Sequence, residues 1–224
     1  PDYVKIRVGG LPQKPKGPLN YQLVFSVHGL VNECIEPVDI LKNKKRAMAE
    51  PMTGLEDIYF YGACKTAKFE AAYTSGGSST LTKTYAGKIN DLDYKTIRFP
   101  GHWDNFKFLN DMGFFKGKRR KHTEKILEEE LAFNEKDMIL ARITVGKYKG
   151  GNVSFDLIDK YDQKNEKSAM QRTTGYSASI VAQMMAEERI KENGTLYHEK
   201  NIPAALFIDE WKKRKIILNE ILIR

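Results

Sequence analysis

The sequence predicts an α+β fold, a mixed and largely antiparallel sheet flanked by helices. Three observations carry this. Short runs rich in β-branched and aromatic residues come in blocks, at 3–8, 38–41 with 46–49, 56–61 with 68–74, and 93–99. Residues 137–145 and 152–161 read as the clearest hairpin, turning through Lys149-Gly150-Gly151-Asn152. Segments of helical period stand between these blocks rather than after every strand, which favours α+β over a regular α/β alternation.

In order, residues 3–8 alternate as a strand, Gly9-Gly10-Leu11-Pro12 reads as a turn, and Pro12, Pro15, Gly17 and Pro18 make a stiff connector. No initiator methionine stands ahead of this strand, so residues 1–18 are expected to enter from a preceding domain. Ser26 is placed to cap a helix over 27–34 that Pro37 ends. Asn43-Lys44 turns a hairpin, and the strands at 56–61 and 68–74 join near Gly62. After the polar turn Ser75 to Thr80, a helix beginning at Ser78 or Ser79 carries Leu81 and Tyr85 on one face. The strand over 93–99 ends at Pro100-Gly101, and 102–112 reads as a helix. Its Trp103, Phe106, Leu109 and Met112 have the spacing of a core stripe. The basic run Lys116 to Lys121 reads as a solvated loop before a second helix over 123–133. Residues 168–173 are expected to add a meander strand. Helices over 177–189 and, after Pro203, to residue 213 follow. Residues 216–223 are apolar enough for strand or helix, and 212–224 are expected to return toward the preceding domain. The whole chain, 1–224, is thus read as one domain.

Composition removes several function classes. Hydrophobic residues at 41% and charged residues at 29% are ordinary for a globular protein, and the run Ala204 to Ile208 is far too short to span a membrane. Cys34 and Cys64 give neither a disulfide framework nor a metal spacing. They read as buried or half-buried free thiols, with a cytoplasmic location expected. His28, His102, His122 and His198 also lack metal spacing, so no metal site is expected. The net charge of +8 raises nucleic acid as a partner. The basic run lacks interleaved aromatics and a recognition element, and Glu128-Glu129-Glu130 follows it, so that partner is set aside. No Gly-x-Gly-x-x-Gly, phosphate loop, serine elbow or His-Glu-x-x-His occurs.

What remains is a set of polar, glycine-punctuated turns. Gly9-Gly10 lets backbone approach a ligand. Thr74-Ser75-Gly76-Gly77 offers amides and hydroxyls at a helix start. Gln171-Arg172-Thr173-Thr174-Gly175 adds a guanidinium suited to a carboxylate. Arg98-Phe99-Pro100-Gly101-His102 places an imidazole at a helix N-terminus. Together they point to a pocket for a small, anionic, amino-acid-like molecule.

These residues also form one ordered series. Gly9-Gly10-Leu11-Pro12, Asn20-Tyr21 with Phe25-Ser26, Thr74 to Gly77, Leu92-Asp93-Tyr94-Lys95-Thr96-Ile97-Arg98-Phe99-Pro100-Gly101-His102, and Met170 to Gly175 with Ala178-Ser179-Ile180-Val181-Ala182 follow in turn. The series resembles the C-terminal catalytic domain of the saccharopine dehydrogenase and lysine 6-dehydrogenase family, from Ile6 to about Trp211. The resemblance implies the second domain of a two-domain oxidoreductase, with NAD or NADP held mainly by an N-terminal Rossmann domain outside this chain. It implies a homodimer that oxidises a CH–NH bond of saccharopine, with lysine 6-dehydrogenase or a non-catalytic scaffold as alternatives. Gly9 and Gly10 would border substrate beside the nicotinamide, and Thr74, Ser75, Gly76 and Gly77 would line the pocket. Arg172 and Thr173 would bind its carboxylate, and His28 would tune specificity. His102 is the candidate acid or base, with helix capping as its other role. The chain on its own, lacking a dinucleotide fingerprint, is expected to be inactive.

Overall fold

A computed structural model describes residues 1–148 and 151–223. Nine strands form one sheet: β1 (Tyr3–Pro12), β2 (Val38–Lys42), β3 (Lys45–Ala49), β4 (Glu56–Tyr59), β5 (Lys68–Tyr73), β6 (Asp91–Arg98), β7 (Asp137–Tyr148), β8 (Gly151–Lys160) and β9 (Asn219–Ile223). Their order is β3-β2-β6-β1-β7-β8-β9, with β4 joined through β5 to the far end of β6. β1 and β6 are parallel, and every other pairing is antiparallel. The helices are α1 (Val27–Ile35), α2 (Leu81–Tyr85), α3 (His102–Asp111), α4 (Gly117–Glu130), α5 (Tyr176–Ala186), α6 (His198–Asn201) and α7 (Ala204–Lys213). A π-helical segment, Gln171–Gly175, runs into α5. The mixed, mostly antiparallel sheet with helices around it is the predicted class.

Local chemistry explains most boundaries. The Ser26 side chain accepts from the Gly29 amide at 3.1 Å, and α1 stops before Pro37. Asn43 and Lys44 both adopt positive φ in the two-residue turn that closes β2 onto β3. The 216–223 segment resolves as the edge strand β9 on β8. The turn expected at Lys149 to Asn152 has Lys149 and Gly150 outside the described residues.

Three expectations are corrected. Gly9-Gly10-Leu11-Pro12 is no turn, because β1 continues through it, opposite Leu140, Ile139, Met138 and Asp137 of β7. Neither glycine there has positive φ, and Pro12 ends the strand, where a missing amide is tolerated. The basic run is helical rather than a loop, since Lys118 to Lys121 are good helix formers and form the first turns of α4. Residues 168–173 are helical rather than a strand. Ser168 Oγ accepts from the Gln171 amide at 3.0 Å while Gln171 Oε1 accepts from the Ser168 amide at 2.9 Å, a reciprocal capping box. The Asp137 carboxylate takes the next two free amides, Ala169 at 2.7 Å and Met170 at 2.9 Å.

The strand alternation divides the sheet into two faces. On one, Leu11, Ile97, Met138 and Leu140 pack with Phe69, Tyr21, Trp103 and Phe106 into the main core. On the other, Val8 and Gly10 of β1 lie between Tyr94, Thr96 and Arg98 of β6 and Ile139, Ala141 and Ile143 of β7. While the apolar stripe of α1 packs into the main core, Val24, Phe25 and Glu33 around α1, the π-helical segment and Trp211 of α7 border this second face. It is here that a cavity opens.

Candidate functional site

Register builds the cavity floor. Val8 pairs with Thr96 on one side and Ala141 on the other, and Leu157 of β8 continues the row. Gly10 pairs with Ile139 one pleat further on. The walls are Val24 and Phe25 ahead of α1, Glu33 on α1, Met170, Thr173 and Thr174 at the π-helical turn, and Trp211 on α7. Its volume is about 490 Å³, the size of a small-molecule site. A π-turn in a helix wall is a frequent mark of such sites, because it re-aims side chains that a regular helix would turn away.

The two glycines serve opposite faces. A Cβ on Gly9 would stand 2.6 Å from the backbone oxygen of Ile97, so β1 and β6 approach only because it is absent. A Cβ on Gly10 would meet the Met170 methyl at 2.8 Å and Val24 Cγ2 at 3.1 Å, on the cavity side. The floor is therefore bare backbone at Gly10, a cradle that a side chain there would fill.

Most of the lining is apolar. The polar groups gather at the β6 end, where Glu33, Tyr94, Thr96 and Arg98 meet. Arg98 is 2% exposed. Its guanidinium lies 4.6 Å from the Tyr21 ring centroid and 5.7 Å from that of Trp103, a cation–π sandwich. One terminal nitrogen donates to the Ile97 carbonyl at 2.9 Å, and Nε has no partner among the described residues. Burial pushes the Glu33 carboxyl above the usual carboxylate range, with Arg98 opposing the rise. Burial likewise raises the Tyr94 phenol.

The predicted site residues fall into two groups. Gly9, Gly10 and Thr173 line the cavity. The Thr74 to Gly77 turn stands behind its polar wall. Thr74 Oγ1 shares a hydrogen bond with Thr96 Oγ1 at 2.6 Å, and the Ser75 amide donates to the Glu33 carbonyl at 2.9 Å. Gly76 needs its φ of +85°, and Gly77 leaves the space occupied by the Tyr94 ring.

The others lie elsewhere. The Arg172 guanidinium holds Asp159 through Nε at 2.9 Å and a terminal nitrogen at 3.1 Å, and Asp162 through the other at 3.1 Å. Its outer edge borders a separate basic depression with Lys160, Lys164 and Lys215. His102 is fully buried, with Nδ1 2.9 Å from the Leu19 carbonyl and its ring stacked on Phe106. Burial first, and Arg98 second, push its pKa down to about 3, so it stays neutral. His28 is exposed and tied by Nδ1 to Glu124 at 3.2 Å.

Sequence reasoning gave no role to Glu33, Tyr94, Thr96, Arg98 or Trp211. Arg98 was quoted as part of a motif, but only the fold shows that its charge lacks a partner. Glu33 had a readable signal. It interrupts the apolar stripe Leu30, Val31, Cys34 of a helix that is otherwise short of charge.

The comparisons agree with this architecture. Residues 2–217 match the family model described as saccharopine dehydrogenase C-terminal domain. Saccharopine dehydrogenase (L-Glu forming) from Saccharomyces cerevisiae, in its apo form, superposes with a TM-score of 0.75 at 17% identity. The match covers 99% of this chain and 67% of the yeast chain. A homospermidine synthase from Legionella pneumophila, in complex with NAD, gives 0.64 at 11% identity over 99% of this chain and 52% of that one. With the family model covering nearly all of its length, the chain belongs to the saccharopine dehydrogenase C-terminal domain family.

Proposed function

We propose that this chain is the substrate-binding and dimerisation domain of an NAD(P)-dependent oxidoreductase acting on the CH–NH bond of saccharopine. Family membership supplies the reaction class. The observation that carries the site is the cavity over Gly9-Gly10, apolar along most of its length and polar at the β6 end. Such a lining suits an amino-acid substrate with a hydrocarbon stem and charged ends.

NAD or NADP, when bound, accepts hydride from the carbon bearing the amine. No glycine fingerprint in this chain holds a dinucleotide, so the reading assigns that task to a Rossmann domain elsewhere in the protein. The bare Gly9-Gly10 backbone fits the edge of a nicotinamide laid over the cavity. Thr173 and Thr174 border the substrate, Trp211 closes it from water, and the Thr74 to Gly77 turn positions Thr96 and Tyr94. Arg172 positions the π-helical turn by tying it to β8. His102 packs the start of α3. The assembled protein is a cytoplasmic homodimer in this reading, and the isolated chain is inactive.

The test is turnover by the full-length protein, followed as NAD or NADP reduction at 340 nm with saccharopine and with lysine. Saccharopine turnover above lysine supports the assignment. Lysine turnover alone moves it to lysine 6-dehydrogenase. Silence of folded, dimeric protein with all four combinations sinks it.

A further inference from the structure

We propose that the β6 end of the cavity is a clamp for a free α-amino-acid group, with Arg98 taking the carboxylate and Glu33 the ammonium. The proposal deepens the amino-acid reading of the cavity and rests on it. Two observations carry it. Arg98 is 2% exposed, lines the cavity, and has an Nε with no partner among the described residues. Among the described residues no carboxylate forms an ion pair with it. A buried, uncompensated cation is costly, and a fold retains one where an anion arrives from outside.

Glu33 is the second observation. It lines the same end of the cavity and makes no side-chain hydrogen bond or ion pair among the described residues. Two opposite charges share one wall without pairing to each other, so a ligand carrying both signs on one carbon satisfies both at once. A ligand with one sign leaves the other group stranded. The Tyr21 and Trp103 rings, 4.6 and 5.7 Å from the guanidinium carbon, hold it by cation–π contact and offer no anion to pair with it. Burial raises the Glu33 carboxyl and Arg98 opposes the rise, so an arriving ammonium would add to what favours its charged form.

The experiment is a calorimetric binding series on the full-length protein with three probes of similar stem. L-Norleucine carries both charges, hexanoate the carboxylate only, and pentylamine the ammonium only. Norleucine binding at least tenfold tighter than either of the others is the expected result. Hexanoate or pentylamine binding as tightly as norleucine overturns the clamp, with no variant needed. Arg98→Gln should remove the advantage of norleucine over pentylamine, and Glu33→Gln its advantage over hexanoate. Full retention of both advantages in folded variants also overturns it. Because the series reads binding alone, a protein that turns over neither saccharopine nor lysine would refute the dehydrogenase reading while the clamp stood or fell by itself.

Discussion

Arg172 and Arg98 are both buried arginines on the cavity side of the sheet, and they are opposite in kind. Arg172 is saturated: Asp159 accepts two of its hydrogen bonds and Asp162 a third. Arg98 has aromatic rings for neighbours and one carbonyl for an acceptor. A guanidinium already closed by carboxylates holds structure together. One left open in a cavity wall is available to a ligand. What separates them is partner count, and neither residue type nor neighbouring glycines reveal it.

The largest effect that follows concerns stability. Arg172→Ala strands the buried Asp159 carboxylate and should cost about 3–5 kcal/mol, the range for breaking a buried pair. Arg98→Gln strands no carboxylate and should cost less than half of that. Urea midpoints of the two variants check the contrast, and equal losses would break it.

That contrast also marks how far the sequence could be read. Strand alternation and turn chemistry made most of the sheet legible, as at the Asn43-Lys44 hairpin turn and the Ser26 cap. Even the missed helix at 168–173 was written in the sequence, as the Ser168-x-x-Gln171 capping box. Local signals mislead instead where tertiary partners decide. Gly9-Gly10 reads as a turn until β7 pairs with it, and Asp137, from a distant strand, anchors the helix start at Ala169. The site was half legible for the same reason. Glycines can be read from sequence, whereas the pairing of Arg172 with Asp159 needs β8 in place.

The next effect tests a buried group that lacks a partner on one side only. His102 donates from Nδ1 to the Leu19 carbonyl, while Nε2 has no partner among the described residues. Its folded pKa of about 3 lies below the 6.5 of the unfolded chain, so the unfolded state binds the proton first. Stability is complete above pH 6.5 and falls as the pH drops toward 3. At 1.36 kcal/mol per unit, the loss is roughly 2 kcal/mol by pH 5. His102→Phe should flatten that acid limb in urea titrations. An unchanged slope would assign the acid loss to other groups.

A smaller effect separates the two faces at adjacent residues. Gly9→Ala pushes a methyl against backbone at Ile97 and should cost about 1–3 kcal/mol, as overpacking does. Gly10→Ala meets the flexible end of Met170 instead, so its melting temperature should move less. Its added methyl enters the cavity, and the Michaelis constant of the full-length protein should rise. If Gly10→Ala unfolds as readily as Gly9→Ala and binds substrate as wild type does, Gly10 belongs to the core rather than to the site.

The smallest effect uses a thiol as a reporter beside the open arginine. Cys34 follows Glu33 on α1, and burial pushes its thiol up to about 12 although the Arg98 charge opposes the rise. Cys64 is half-buried. Reaction is carried by the thiolate, so a disulfide reagent should modify one thiol quickly in the native protein and Cys34 only on unfolding. Arg98→Gln removes the one nearby charge that favours the Cys34 thiolate, and should make Cys34 slower still. A faster Cys34 in that variant would mean that the helix has loosened, and that Arg98 holds α1 in place as Arg172 holds the π-helical turn. The two arginines would then be of one kind after all.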